Sequence, residues 1–191
     1  MKILVTGGAG FMGSHFVKHI LNKYSDYKVI NYDKLTYAGN LNNLKEVEKE
    51  PRYQFVQGDI VDTKKLKELA DGVDAIVNYA AETHVDRSIL DSYDFAKTDV
   101  IGTLSILETV NEKKIKRFIQ ISTDEVFGSI EKGDFSEDSP FQPNSPYSAS
   151  KAGGDLLCRA YFETYKTPVI VTHSCNFYGP NQYPEKIISL F

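Results

Sequence analysis

Tyr147 and Lys151 stand four residues apart in Tyr147-Ser148-Ala149-Ser150-Lys151. On a helix that spacing puts both side chains on one face. An ammonium beside a phenol favours the phenolate and lowers its pKa, giving a base for a hydroxyl proton. A second group, Ser122-Thr123-Asp124-Glu125, ends an apolar β-rich run. Residues at the carboxyl end of a parallel strand face the ligand crevice of an open α/β sheet. A hydroxyl there can hold a substrate oxygen, and two carboxylates can divide acid and base work if their surroundings separate them. Taken singly, the first group also reads as an ordinary amphipathic pair and the second as a polar strand exit.

A third group changes that balance. Thr6-Gly7-Gly8-Ala9-Gly10-Phe11-Met12-Gly13-Ser14 carries G-x-G-x-x-G at Gly8, Gly10 and Gly13, and the wider G-x-x-G-x-x-G at Gly7, Gly10 and Gly13. Such a turn lets a backbone approach a pyrophosphate and offers it the free N–H groups of a helix N-terminus. Asp33 lies 20 residues past Gly13, where a carboxylate can accept from both ribose hydroxyls and would repel a 2′-phosphate. The reading is dinucleotide binding with NAD favoured over NADP, with Lys34 as the cation that could soften the repulsion. Asp59 and Ile60 would lie beside the adenine if the strand order is 3-2-1-4-5-6.

The elements that would hold these groups alternate. Short β-rich runs occur at Lys2–Thr6, Tyr27–Tyr32, Tyr53–Gln57, Ala75–Asn78, Arg117–Ser122 and Val169–Thr172. Between them lie helical stripes: Val17, Ile20, Leu21 and Tyr24; Ile101, Leu104, Leu107 and Val110 within Thr98–Val110; and Leu157, Tyr161 and Tyr165. Near-continuously apolar strands joined by helices predict a doubly wound parallel sheet with helices on both faces, the Rossmann-like α/β class. Gly128–Pro146 reads as a surface loop, and no domain boundary shows inside the chain.

The 191 residues carry 22 Lys+Arg against 26 Asp+Glu, a net charge of −4 that argues against a basic nucleic-acid-binding surface. No apolar run reaches the roughly 18 residues of a spanning helix, and no signal peptide opens the chain. With two cysteines, Cys158 and Cys175, and no glycosylation sequon, the expected compartment is the cytoplasm. Both cysteines read as buried small hydrophobes. His15 and His19 have zinc-compatible spacing but no third ligand, so no metal site is expected and both read as solvent-exposed. Glu46–Glu50 and Lys64–Lys67 read as solvated helix faces.

Together, Thr6–Ser14, Asp33–Asn40, Ala80–Ser88, Ser122–Val126, Tyr147–Lys151 and Tyr178-Gly179-Pro180 resemble the extended short-chain dehydrogenase/reductases, along the whole chain. Within them the likeness is to the NAD-dependent epimerase/dehydratase group. Thr123-Asp124-Glu125 and Ala80-Ala81-Glu82-Thr83-His84-Val85-Asp86-Arg87-Ser88 discriminate far better than the glycines do. The resemblance implies dehydration of dTDP-glucose at C5 and C6 by internal hydride transfer through bound NAD, for deoxysugar or cell-surface polysaccharide synthesis. It implies that Tyr147 and Lys151 deprotonate the sugar 4-hydroxyl, Thr123 holds the 4-oxygen, Glu125 removes the C5 proton and Asp124 protonates the departing 6-hydroxyl.

The NAD-lining set it implies is Gly7, Gly10, Phe11, Met12, Gly13, Asp33, Lys34, Leu35, Thr36, Asp59, Ile60, Tyr79, Ala80, Ala81, Thr83 and Thr98, with Tyr147 and Lys151. Thr83, Thr123 and Asn176 would meet the substrate, and the assembly would be a homodimer. The chain departs from the family pattern at Asp99, Phe127, His173 and Phe177. The expected organisation is a cofactor domain over residues 1–191 whose C-terminal end enters a substrate domain largely absent from the chain. The competing readings are a nucleotide-sugar 4-epimerase, which needs no C5 base or C6 acid, and a non-catalytic NAD-binding module.

Overall fold

Six parallel strands lie in the order β3-β2-β1-β4-β5-β6 in a computed structural model that describes residues 1–184 and 187–190. They are β1 (Lys2–Thr6), β2 (Lys28–Asp33), β3 (Tyr53–Gln57), β4 (Ala75–Asn78), β5 (Arg117–Thr123) and β6 (Val169–Ser174). All five pairings are parallel, as the strand–helix alternation predicts. The helices are α1 (Phe11–Lys23), α2 (Thr63–Leu69), α3 (Val85–Leu90), α4 (Tyr93–Phe95), α5 (Thr103–Lys113), α6 (Pro146–Tyr165) and α7 (Ile187–Leu190).

Alternation along the strands divides the core in two. Ile30, Leu4, Ile76 and Phe118 sit side by side in register on one face and pack under α2, α5 and α6 through Leu66, Ile106, Leu107 and Cys158. Ile3, Val5, Val29 and Val77 point the other way, against Val17, Ile20 and Leu21 of α1. The strands are not apolar throughout. Thr6 Oγ1 donates to Asn78 Oδ1 at 2.5 Å, Asn78 Nδ2 to Gln120 Oε1 at 2.8 Å, and Gln120 Nε2 to Thr103 Oγ1 at 3.4 Å. This buried polar chain crosses β1, β4 and β5 and ends in α5, satisfying groups that would otherwise be costly to bury.

Three helical expectations change. The stripe predicted from Ile101 holds at Leu107 and Val110 but fails at its start, because a π-helical stretch at Ala96–Gly102 joins α4 to α5. Its wider turns rotate the downstream helix, so Ile101 is exposed while Thr103, Ile106, Leu107 and Val110 face inward. Tyr165 is also exposed, its ring against Tyr161 rather than in the core. Glu46–Glu50 forms turns rather than a helix, anchored by buried Val47. The Lys64–Lys67 run does lie on α2, with Lys67 paired to Glu112.

Helix α6 starts where its sequence says it should. Ser145 caps it in a reciprocal pair with Ser148, and Pro146 occupies the first turn. Among the described residues no helix is long and apolar enough to cross a membrane.

Candidate active site

The carboxyl ends of the strands open into one cleft of about 640 Å³, a volume suited to a cofactor with part of a substrate. Gly7 and Gly13 show why the turn needs glycine. Gly7 has φ +70°, and a Cβ there would stand 2.4 Å from Ala80 N. A Cβ on Gly13 would stand 2.3 Å from Gly7 O, so the first turn of α1 lies directly on the loop. No side chain caps that helix, leaving its N-terminal amides toward the cleft. The loop is a cradle that added carbon would fill, and its shape and dipole fit a pyrophosphate.

Asp33 closes β2 and ties this loop down. Its Oδ2 accepts from Ala9 N and its Oδ1 from Leu35 N, each at 2.8 Å. Burial raises its pKa above the usual carboxylate value, against the two amides that favour the charge. Lys34 Nζ is 2.9 Å from Asp59 Oδ2, so the neighbouring cation is already paired.

The chemistry-bearing groups stand on two elements. Thr123 ends β5, and Asp124 and Glu125 begin a 3-10 turn (Asp124–Phe127) capped when Glu125 N donates to Thr123 Oγ1 at 3.2 Å. Tyr147 and Lys151 lie one turn apart on α6 and line the same cleft. Lys151 is 4% exposed, and its Nζ donates to Ile121 O at 2.8 Å. The expected lowering of the phenol pKa does not appear. Burial, then Glu125 and Asp99, push Tyr147 well above its ordinary value, while Thr123 alone opposes them. The ammonium is turned toward the Ile121 carbonyl, and the ring meets Phe95 edge-on.

Behind this pair lies a buried network that the motifs do not announce. Asp99 is 2% exposed and accepts from Ser150 Oγ at 2.7 Å. Asp155 accepts from Ser122 Oγ at 2.6 Å and lies 3.1 Å from His173 Nε2. The His173 ring packs against Phe127 and Phe141, so two of the positions that depart from the family pattern meet here.

Of the residues expected to hold cofactor or substrate, all line the cleft except Leu35. Leu35 has φ +58° and turns its side chain into the α1-side core, so only its N–H serves, on Asp33. Sequence reasoning missed Tyr37, whose hydroxyl donates to Thr83 O at 3.1 Å and whose face carries the Arg87 guanidinium at 3.8 Å. Glu82, inside the Tyr79–Thr83 stretch that the resemblance places at NAD, and His84, whose sequence context left approach to substrate and packing equally open, both line the cleft as well. Cys175 is a correction: it is exposed in the cleft wall, because β6 has ended and the chain is in an irregular exit, and only Cys158 is buried. His15 is also not free in solvent, for its Nε2 lies 2.8 Å from Pro180 O. Among the described residues no cluster of His, Cys, Asp or Glu could hold a metal ion.

A glycine-turn cleft lined by Thr123 at the end of β5 and by Tyr147 and Lys151 of α6 defines the extended short-chain dehydrogenase/reductase class. The chain belongs to the GDP-mannose 4,6 dehydratase family, whose model matches residues 4–191. It is 50% identical over 191 residues to the low-salt glycan biosynthesis protein Agl12 of Haloferax volcanii, covering all of this chain and 61% of the relative. It superposes with TM-score 0.97 and 52% identity on the crystal structure of DesIV, a dTDP-glucose 4,6-dehydratase from Streptomyces venezuelae with NAD and dTDP bound. That match covers all of this chain and 60% of the other. A UDP-glucuronic acid 4-epimerase from Bacillus cereus, in complex with its substrate and NAD, matches with TM-score 0.93 at 33% identity, over 99% of this chain and 61% of that one. The chain therefore spans about three fifths of the length of the relatives it matches.

Proposed function

We propose that this chain is the NAD-binding and catalytic part of a nucleotide-sugar 4,6-dehydratase, acting on dTDP-glucose. The observation that carries the reading is the placement of Asp124 and Glu125 in the same cleft wall as Thr123, Tyr147 and Lys151. A 4-epimerase needs the tyrosine and the hydroxyl but has no work for two further carboxylates. Identity points the same way, at 52% to the dehydratase structure against 33% to the epimerase.

Bound NAD supplies a hydride acceptor and, once reduced, the donor, and is restored each turnover. The chain's own residues do the proton work. Thr123 Oγ1 holds the sugar 4-oxygen, and Tyr147 takes the 4-hydroxyl proton, with Lys151 fixing the ring's surroundings. Once C4 is a ketone the C5 hydrogen is acidic, and Glu125 removes it. Asp124 gives its proton to the 6-hydroxyl so that water departs. The glycine loop receives the pyrophosphate and Asp33 the adenosine ribose, while Thr83 and Asn176 face the substrate.

Residues 1–191 are in this reading the cofactor domain, with recognition of the nucleotide left to the part of the relatives that the chain does not cover. A homodimer in the cytoplasm completes it. Exposed Leu90, Tyr93 and Leu156 support the dimer, and the unpaired Cys158 and Cys175 support a reducing compartment. Incubation with NAD and dTDP-glucose tests the reading. Formation of the 4-keto-6-deoxy product supports it, C4 inversion supports the epimerase, and NAD binding without turnover of either kind supports a binding module.

A further inference from the structure

We infer that Asp99 is a positioning residue for the Tyr147–Lys151 pair: its buried carboxyl, held by Ser150 beside Lys151, sets the pH at which the phenol gives up its proton. The inference rests on the catalytic role proposed for Tyr147, and its first test does not.

Asp99 reaches this place because of local backbone geometry. It sits in the middle of the π-helical stretch, which bulges toward α6. The approach is close: a Cβ on Gly154 would stand 2.7 Å from Asp99 O, and one on Gly153 3.0 Å from Val100 Cγ2. Two glycines in α6 thus admit the bulge and bring Asp99 against the helix turn that carries Lys151. Ser150 Oγ donates to Asp99 Oδ2 at 2.7 Å, while Oδ1 is buried without a side-chain partner.

Charged groups face Asp99 from each packed element. From α6 come Lys151, which favours the carboxylate, and Asp155, which opposes it, with His173 of β6 behind Asp155. From the segment after β4 comes Glu82, whose backbone N–H favours the charge and whose own carboxyl is raised by burial first and by Asp99 second. Tyr147 is raised by Asp99 in turn. Burial outweighs the favourable partners and lifts the Asp99 carboxyl to about 6.

The consequence is Coulombic, in a medium poorer than water. A negative Asp99 offsets the Lys151 ammonium and discourages a second negative charge on the phenol. A neutral group at position 99 leaves the ammonium uncompensated and makes the phenolate easier to form. Position 99 therefore tunes the base without touching substrate.

Two experiments decide. In the first, 13C-labelled aspartate is tracked by NMR across pH, with the Asp99 resonance assigned by its loss in Asp99→Asn. A midpoint near 6 that rises in Lys151→Met is the expected result; a midpoint below 4.5, or one indifferent to Lys151→Met, overturns the inference. In the second, single-turnover NADH formation is measured against pH in the active protein. Asp99→Asn should move the rising limb toward acid by half a unit or more, and Ser150→Ala, which frees the carboxyl, should move it measurably in either direction. A uniform loss of rate with an unmoved midpoint in both variants refutes the positioning role. If no variant forms NADH, the NMR result stands alone, and it is the proposed function that fails.

Discussion

Lys34 Nζ lies 2.9 Å from Asp59 Oδ2, across the end of the cleft where Asp33 closes β2. The two residues hold one another at a place where a free lysine would attract phosphate. With both Asp33 oxygens accepting from backbone N–H groups and Lys34 paired, the cleft is arranged for a ribose carrying two hydroxyls. Asp59→Asn should release Lys34 and raise NADP affinity relative to NAD. The half-exposed pair is worth at most about 1 kcal/mol, so the ratio should move by roughly two- to five-fold. Calorimetric titration with both cofactors measures it, and an unchanged ratio would show that Lys34 has no influence on the choice.

Two glycines of the same loop should respond differently to one methyl group. At Gly13 the added carbon meets Gly7 O at 2.3 Å and Gly8 Cα at 2.7 Å, both backbone, so the loop must open. Gly13→Ala should cost about 1–3 kcal/mol in stability and weaken NAD binding at least tenfold. At Gly10 the nearest atom is Gly7 O at 3.4 Å, an ordinary contact, and Gly10→Ala should stay within about 0.5 kcal/mol of the parent. Thermal unfolding beside NAD titration separates them; equal behaviour would mean that helix-on-loop packing does not shape the site.

Much of this arrangement could be read from residue order, because local rules act where the chain is regular. The six strands come from alternation, and the glycine turn, Asp33, Thr123, Tyr147 and Lys151 from spacing and the rule that strand ends face the crevice, while the other cleft-lining residues, from Tyr79 to Asn176, come from the family resemblance. The features that could not be read depend on contacts between distant segments. The π turn at Ala96–Gly102 leaves no periodic mark of its own and takes Ile101 off the face that Leu107 and Val110 keep. The Asp155–His173 contact joins residues on different elements, each of which alone looks like an ordinary polar position. Cys175 looks apolar by type, yet the end of β6 one residue earlier leaves it exposed.

Glu125 is assigned the C5 proton. Glu125→Gln keeps the size of the side chain and the backbone N–H that caps the turn on Thr123, so the fold and the glycine loop should be spared. NAD affinity should stay within about twofold of the parent, while exchange of the substrate C5 hydrogen with deuterated solvent falls by about 100-fold or more, the range for loss of a positioned base. Exchange at the parental rate would remove Glu125 from the mechanism. Loss of NAD binding as well would make its role structural.

The two thiols should report the cleft directly. Cys158 is fully buried and burial pushes its pKa up to about 12, so it should be inert in the native protein. Cys175 is exposed in the cleft wall, and Asp124 raises its thiol above the ordinary value. A raised pKa means less thiolate at pH 8, so Cys175 should react, but more slowly than a small free thiol, and faster as pH climbs past 9. A disulfide reagent should therefore label one thiol per folded chain and a second only on unfolding, with none labelled at neutral pH in Cys175→Ser. Asp124→Asn removes the carboxylate beside Cys175 and should accelerate labelling; a slower reaction would mean that Asp124 does not face that thiol. Rapid labelling of both cysteines in the native state would contradict the placement of α6 against the sheet.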